Sequence, residues 1–160
     1  MLTIERLRNV LAYDPLTGIF TWINGPNDRL RAGLRAGRTI AKGYISIRLD
    51  GRAYLAHRLA WFYRFGTWPA HQIDHINGRP SDNRLENLRE ADNHQNSANR
   101  KVRSAHGVKG VKRTKSGRWE AKLQHKGQFY ALGTFDTIEE AGAAYLAKAK
   151  EIHGEFARGS

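Results

Sequence analysis

The 160-residue chain contains no cysteine, a single methionine and only four prolines. Without cysteine there is no disulfide framework, no thiolate-ligated zinc finger and no thiol nucleophile. Long apolar runs are also missing, and nothing approaches the ~18 residues that a membrane-spanning helix requires. The opening segment, MLTIERLRNVLAYD, carries charges through its apolar stretch and so does not read as a secretory leader. Acidic residues are scarce, with 15 Asp and Glu against 27 Lys and Arg, for a net charge of +12. Such an excess points to a polyanionic partner, most simply nucleic acid. The chain is nevertheless 40% hydrophobic and holds four Trp, six Tyr and six Phe, too many for a disordered polycation. One domain or two small ones is the expectation.

The charge is unevenly distributed. Residues 100–126 hold ten Lys or Arg and a single acid, Glu120. Gly107, Gly110 and Gly117 interrupt this stretch and Gly127 follows it, which argues against one long helix. Its first part, Lys101–Gly110, reads as a flexible basic linker into the next module. Residues 1–99 carry a surplus of only five.

Along the chain, Ile4, Leu7, Val10 and Leu11 recur at helical spacing and predict a short amphipathic helix over 4–12. Asp14-Pro15-Leu16-Thr17-Gly18 reads as a turn, Ile19–Ile23 as a strand, and 24–42 as an exposed basic loop. The alternation around Asp50-Gly51 predicts a hairpin over 43–55. Residues 57–65 read as a helix with an aromatic face, ended by Gly66. Trp61, Phe62, Phe65 and Trp68 are assigned to the core, and His57 to packing or hydrogen bonding beside that helix. In the last third, Gly107–Lys112, Trp119–His125 and Gln128–Leu132 read as three strands. Thr137–Ile152 follows as a helix, with Thr137 as N-cap and Glu140 completing a capping box.

Between these parts, residues 70–100 are dense in His, Asn and Asp. Cleaving a phosphodiester requires a base for water, polarisation of the phosphate and neutralisation of the departing 3′ oxygen. A neutral His suits the first task, and carboxylate or carboxamide oxygens suit a hard divalent cation. Asp74 and His75 would face opposite sides of a regular strand, so a distortion or turn must bring both to one phosphate. Asp92 can cap a helix starting at Asn93, with Gln95 at the capping-box position and Asn96 with Asn99 or Arg100 on one face. The same residues also suit ordinary turns, Asn77-Gly78 and Asp82-Asn83 among them.

The ordered pattern His57-Arg58-Leu59-Ala60-Trp61, Ile73-Asp74-His75-Ile76-Asn77-Gly78, Asp82-Asn83-Arg84, Asn87-Leu88-Arg89, then Asn96 and Asn99, resembles the HNH endonuclease family, in particular its phage homing branch. The resemblance covers about residues 43–100. It implies a ββα-metal site, over about 70–100, around one divalent ion, Mg²⁺ or Mn²⁺. By this resemblance His75 is the general base, Asn87 the middle Asn that bridges the loop and orients the base, and Asp74 and Asn96 the metal ligands. Asn96 stands where many relatives carry a final His. His71 and His94 flank the motif and are secondary candidates for phosphate contact, with the ordinary surface reading preferred for both.

A second resemblance covers about residues 107–157. Lys109-Gly110-Val111-Lys112, Gly117-Arg118-Trp119-Glu120-Ala121-Lys122-Leu123, Leu132-Gly133-Thr134-Phe135 and Glu139-Glu140-Ala141-Gly142-Ala143-Ala144-Tyr145 resemble the plant ethylene-response-factor (APETALA-type) DNA-binding domain. That resemblance implies a three-stranded antiparallel sheet packed on a helix, with the sheet in the major groove. Lys109, Lys112, Thr114, Lys122 and Gln124 match its DNA-facing positions, and Arg113, Lys115 and Arg118 join them on charge. Lys109 and Lys112 stand where the plant proteins favour Arg, Gln124 replaces an Arg and Ala131 a Trp, so the plant target sequence does not carry over.

The expectation is an α+β chain with a nuclease domain over 1–100, a basic linker over 101–106 and a DNA-binding module over 107–157. It would hydrolyse double-stranded DNA in a cytoplasm, that of the host if phage-encoded, without membrane association. One site per chain favours a nicking monomer, whereas double-strand cutting requires a dimer or two events. The alternative is a non-catalytic DNA-binding regulator on a degenerate nuclease fold. An RNA- or ribosome-binding protein rests on charge alone.

Overall fold

The computed structural model describes residues 2–23, 32–100, 102 and 106–159. They form two compact units, 1–90 and 91–160. Part of the expected 24–42 loop (24–31) and most of the expected linker at 101–106 lie outside the described residues. None of the described helices is long and apolar enough to cross a membrane.

The first unit opens with α1 (Ile4–Val10), which starts where the Thr3 hydroxyl accepts the Arg6 N–H at 3.2 Å. Leu7 and Val10, on its inner face, are buried. β1 (Leu11–Asp14) and β2 (Ile19–Trp22) form an antiparallel hairpin. Its turn is closed by the Asp14 carboxylate, which accepts the Leu16 N–H at 2.9 Å and the Thr17 hydroxyl at 2.7 Å. β3 (Arg38–Thr39), β4 (Ile45–Leu49) and β5 (Arg52–Leu55) make a second antiparallel sheet in that order. Asp50 and Gly51 both take positive φ at its hairpin, as a two-residue turn with the right-handed strand twist demands. α2 (Ala56–Phe65) follows at once and stops at Gly66 in the left-handed conformation. Phe20, Leu7, Leu11, Ile47 and Leu59 form the centre of one hydrophobic core, with Trp61 and Trp68 packed against it. Phe65, assigned to the core from sequence, is half exposed, because the last turn of α2 carries it past the packed face. β6 (Gln72–His75) pairs with β7 (Leu88–Ala91).

The second unit begins with α3 (Asn93–Asn99), whose N-terminus carries the expected capping box of Asp92 and Gln95. β8 (Val111–Arg113), β9 (Trp119–His125) and β10 (Gln128–Phe135) form an antiparallel sheet with β9 in the centre. α4 (Ile138–His153) packs on it, capped by Thr137 and Glu140. Its Ala141, Tyr145 and Ala149 meet Ala121, Leu123 and Val111 in two small cores. The first strand is shorter than expected because Gly110 takes a φ of +66°. A Cβ there would lie 2.3 Å from the Tyr145 ring and 2.4 Å from the Lys122 carbonyl. β10 is longer than expected: it shifts register between Ala131 and Gly133 and continues to Phe135, partly buried against the helix.

Candidate functional site

β6 ends in Asp74 and His75, and β7 starts at Leu88. The loop between them is held by side-chain amides, which can donate and accept at once. Asn87 Oδ1 accepts the Asn77 N–H at 3.0 Å, while Asn87 Nδ2 donates to Asn77 Oδ1 at 3.1 Å and to the Asp82 carbonyl at 2.8 Å. The Asn87 carbonyl takes the Ile76 N–H at 2.9 Å. Asn87 therefore ties together both ends of the loop. Asn77 Nδ2 donates to Asp82 Oδ2 at 2.7 Å, and Arg84 grips both oxygens of Asp82 at 2.9 Å. Hydrogen bonding to Arg84 pulls the Asp82 carboxyl down to about 2.

His75 is buried, and its Nε2 lies 3.2 Å from Asn83 Oδ1. Asn83 Nδ2 donates to the Ser81 carbonyl at 3.4 Å, which fixes the amide with its oxygen towards the imidazole. With that oxygen as acceptor, Nε2 carries the ring proton and Nδ1 is the basic nitrogen. Burial lowers the His75 pKa below the ordinary imidazole value, opposed in part by Asn83, Asp74 and Asp82. The ring is thus neutral at neutral pH. His57 lies edge-on to it with ring centroids 5.0 Å apart, and Tyr44 stands 6.0 Å from His75. His57 is also buried, its Nδ1 has no hydrogen-bond partner, and burial lowers its pKa to about 3. It is the packing residue the sequence suggested, but what it packs on is the candidate base.

Asp74 is 6% exposed, and its Oδ2 is engaged by Arg89 through Nε and Nη2, each at 3.1 Å. Asp74, His75 and Asn87 thus come together in the first unit. Asn96, partly buried, stands on α3 in the second. Among the described residues no group of three or more His, Asp or Glu forms a ready-made metal cage.

Sequence reasoning missed Asn83 as the partner of His75, and missed what holds Asn83. The Tyr13 hydroxyl donates to the Asn83 carbonyl at 2.7 Å, and the Pro15 carbonyl accepts the Leu85 N–H at 3.1 Å. Gly18 takes a φ of +71° so closely against this loop that a Cβ would sit 2.3 Å from the Arg84 nitrogen and 2.4 Å from the Asn83 carbonyl carbon. The β1–β2 hairpin is therefore a brace for the His75 loop. Asn83 lay within a quoted motif, whereas nothing local to Tyr13 or Gly18 signals their partners. In the same unit, a cavity of about 290 Å³ is lined by Trp22 of β2 and Arg48 of β4 together with Leu34, Arg35 and Arg38 from the region read as a basic loop.

The basic residues of the second unit are not equivalent. Strand alternation turns Lys112, Lys122 and Gln124 to the outer face of the sheet, opposite α4. Lys112 and Lys122 share Glu120 at 3.0 and 3.8 Å. Lys115 is exposed in the β8–β9 turn. Arg113 donates to the Gly117 carbonyl at 3.2 Å, and the Thr114 hydroxyl to the Arg118 carbonyl at 3.0 Å, so both also shape that turn. Arg118 pairs with Asp136 at 2.8 Å and donates to the Thr134 carbonyl at 3.0 Å. Lys109 points elsewhere: its half-buried ammonium donates to the Ala98 carbonyl, and burial, with Arg158 and Arg100 nearby, lowers its pKa to about 8.

Residues 54–98 match the HNH endonuclease family, from within β5 to within α3. The chain is 32% identical over 106 residues to Protein 3.8 of Escherichia phage T7, an alignment covering 64% of this chain and 87% of that protein. It is 33% identical over 85 residues to an uncharacterized HNH endonuclease of Acanthamoeba polyphaga mimivirus, covering 53% of this chain and 44% of the relative. No solved structure matches. With the His75 loop stapled by Asn87 and the family pattern running through it, the chain belongs to the HNH endonuclease family.

Proposed function

We propose that the protein is a metal-dependent endonuclease that hydrolyses phosphodiester bonds in duplex DNA. The observation that carries this reading is His75: a buried, neutral imidazole whose Nε2 proton is fixed by Asn83 in a loop stapled by Asn87. A base so held keeps its tautomer, and its lowered pKa keeps Nδ1 ready to accept a proton at neutral pH. His75 Nδ1 takes a proton from water as the oxygen attacks phosphorus, the bond from phosphorus to the 3′ oxygen breaks, and that oxygen takes a proton from solvent. The products are 3′-hydroxyl and 5′-phosphate ends.

Asp74 would hold a divalent cation, and Asn96 is the second ligand that the family resemblance implies. A carboxylate and a carboxamide are hard oxygen donors, and so sparse a set suits Mg²⁺ or Mn²⁺, which take the rest of their shell from water and phosphate. When bound, such an ion supplies positive charge beside the leaving oxygen. Arg89 holds Oδ2 of Asp74 and so sets the direction in which the carboxylate is presented. In this reading Asn87 orients the base through the loop.

The outer face of the C-terminal sheet, with Lys112, Lys122 and Gln124, binds the duplex, aided by Arg113, Thr114, Lys115 and Arg118 around the β8–β9 turn. Lys109 contributes less, since its ammonium is half buried on Ala98. The Arg35, Arg38 and Arg48 cavity offers further phosphate contacts beside the cutting unit's own sheet. With one site per chain, the monomer nicks.

The test is incubation of supercoiled plasmid and phage DNA with the protein and Mg²⁺ or Mn²⁺, repeated with EDTA and with His75→Ala. Metal-dependent nicking reduced by about 10²–10⁴ in the variant is expected for loss of a general base. Target binding without cleavage in any metal would instead make the protein a DNA-binding regulator.

A further inference from the structure

The outer face of the β8–β9–β10 sheet carries a large aromatic side chain that its core does not use. Phe129 is 69% exposed. Its place follows from register: Tyr130 pairs with the buried Leu123 and faces α4, whereas Phe129 pairs with Gln124 and Ala131 with Lys122, both on the opposite side. Directly paired side chains on one face stand about 5 Å apart. A carboxamide and an aromatic ring are thus neighbours on an open surface, next to Lys122 and with Lys112 further along the same face.

The lysines select a polyanion, and the pair beside Lys122 has a specific complement. In the major groove, adenine offers an acceptor at N7 and a donor at N6, which a carboxamide meets with two hydrogen bonds. Thymine alone offers a methyl group, which apolar side chains cover. Guanine offers two acceptors and favours Arg or Lys. The lysines on this face are tied to Glu120 at 3.0 and 3.8 Å, which draws them towards the surface.

We propose that Gln124 and Phe129 together read an A·T-bearing step in the major groove. Gln124 bonds adenine N6 and N7, Phe129 covers the methyl of a neighbouring thymine, and Ala131 extends the apolar strip. This rests on the reading that the sheet binds duplex DNA.

The experiment uses the full chain in EDTA, so that DNA is bound and not cut. Selection from a randomised duplex pool gives the preferred core. That core is then bound with uracil replacing thymine, which removes only the methyl, and with 7-deazaadenine replacing adenine, which removes N7. An A·T step in the core is expected. Uracil should weaken binding by about three- to fivefold in the wild type and not at all in Phe129→Ala. 7-Deazaadenine should weaken it by about tenfold in the wild type and leave Gln124→Ala unaffected. A core of G·C pairs, or equal losses in wild type and variants, overturns the proposal. So does a Phe129→Ala variant that binds DNA as before but changes sedimentation, which makes the ring a contact between copies. If Lys112→Ala and Lys122→Ala weaken duplex binding while selection returns no A·T step, DNA binding stands and this base reading fails. If those variants leave binding unchanged, both fail. Phe129 lies outside both cores of the second unit, so far-ultraviolet circular dichroism should be the same in variant and wild type.

Discussion

The two units put their polar residues to opposite uses. In the first, Asp74, His75, Asn83 and Asn87 are all buried, and hydrogen bonds to neighbouring side chains or backbone hold them. In the second, Lys112, Lys122 and Gln124 stand on an open sheet face over a core of small side chains, Ala121, Ala141 and Ala149 among them. Proton transfer needs one tautomer in one place, and only a desolvated, cross-braced setting provides that. Holding a polyanion needs charge at the surface, where release of counterions from DNA supplies the free energy. The first arrangement should be intolerant of small displacements, and the second should respond smoothly to salt and to single substitutions.

The sharpest way to break this contrast is Gly18→Ala. The added Cβ meets backbone atoms of Asn83 and Arg84 at 2.3–2.4 Å, and the position has a φ of +71°. Something must move, and what moves is the segment that orients His75. A displacement of about 1 Å is enough to cost roughly 100-fold in rate. Nicking should therefore fall by about that factor in a plasmid assay, while DNA affinity measured in EDTA stays the same. Unchanged nicking would show that the hairpin does not brace the site.

A smaller effect is expected from Lys112→Ala combined with Lys122→Ala. Each lost phosphate contact should reduce the slope of log affinity against log salt by about 0.9. Titrations from 50 to 200 mM salt should give a slope shallower by about two, with little change in cleavage rate once DNA is saturating. The loss leaves Glu120 facing phosphate without its partners, so the affinity change at low salt should exceed that for either single variant.

A third contrast concerns pH dependence. The pKa values of His57 and His75 are lowered by burial, so the folded protein binds fewer protons than the unfolded chain below the ordinary imidazole value of 6.5. Stability should be fully present above 6.5 and decline as pH falls towards about 3, the value for His57. Denaturant midpoints measured between pH 7 and 4 should fall, and His57→Phe should flatten that decline. In the same range the acid limb of the nicking rate should lie below 6.5. A limb above 6.5 would mean that His75 is not a desolvated base.

Much of this was legible in the sequence where the cause is local. The capping boxes at Asp92 and Thr137 and the Asp50-Gly51 turn are statements about three or four consecutive residues, and they stand where their side chains put them. The motif residues Asp74, His75 and Asn87 were singled out through the family resemblance, since their spacing alone suits ordinary turns as well. Contacts between distant segments were not. Tyr13 reaches Asn83 across 70 positions, and no periodicity encodes which loop a tyrosine will meet. Lys109 was placed on the DNA-facing side by the ethylene-response-factor resemblance, and a motif match does not tell that its ammonium will be drawn onto the Ala98 carbonyl. Phe129 was hidden for the converse reason: its side of the strand is set by pairing with Gln124, and only the register reveals it.

The brace formed by Tyr13, Pro15 and Gly18 has a consequence for anyone seeking a minimal nuclease. The family-matched segment, 54–98, contains every side chain named for the chemistry, from His57 through Asn96. Cut out alone, it would lose the hydrogen bonds to the Asn83 carbonyl and the Leu85 N–H, and the buttress at Gly18. The recognisable portion is thus the part that carries the reagents, while the first two dozen residues act as the jig that holds them. Transplanting the motif into another scaffold would require supplying an equivalent hairpin.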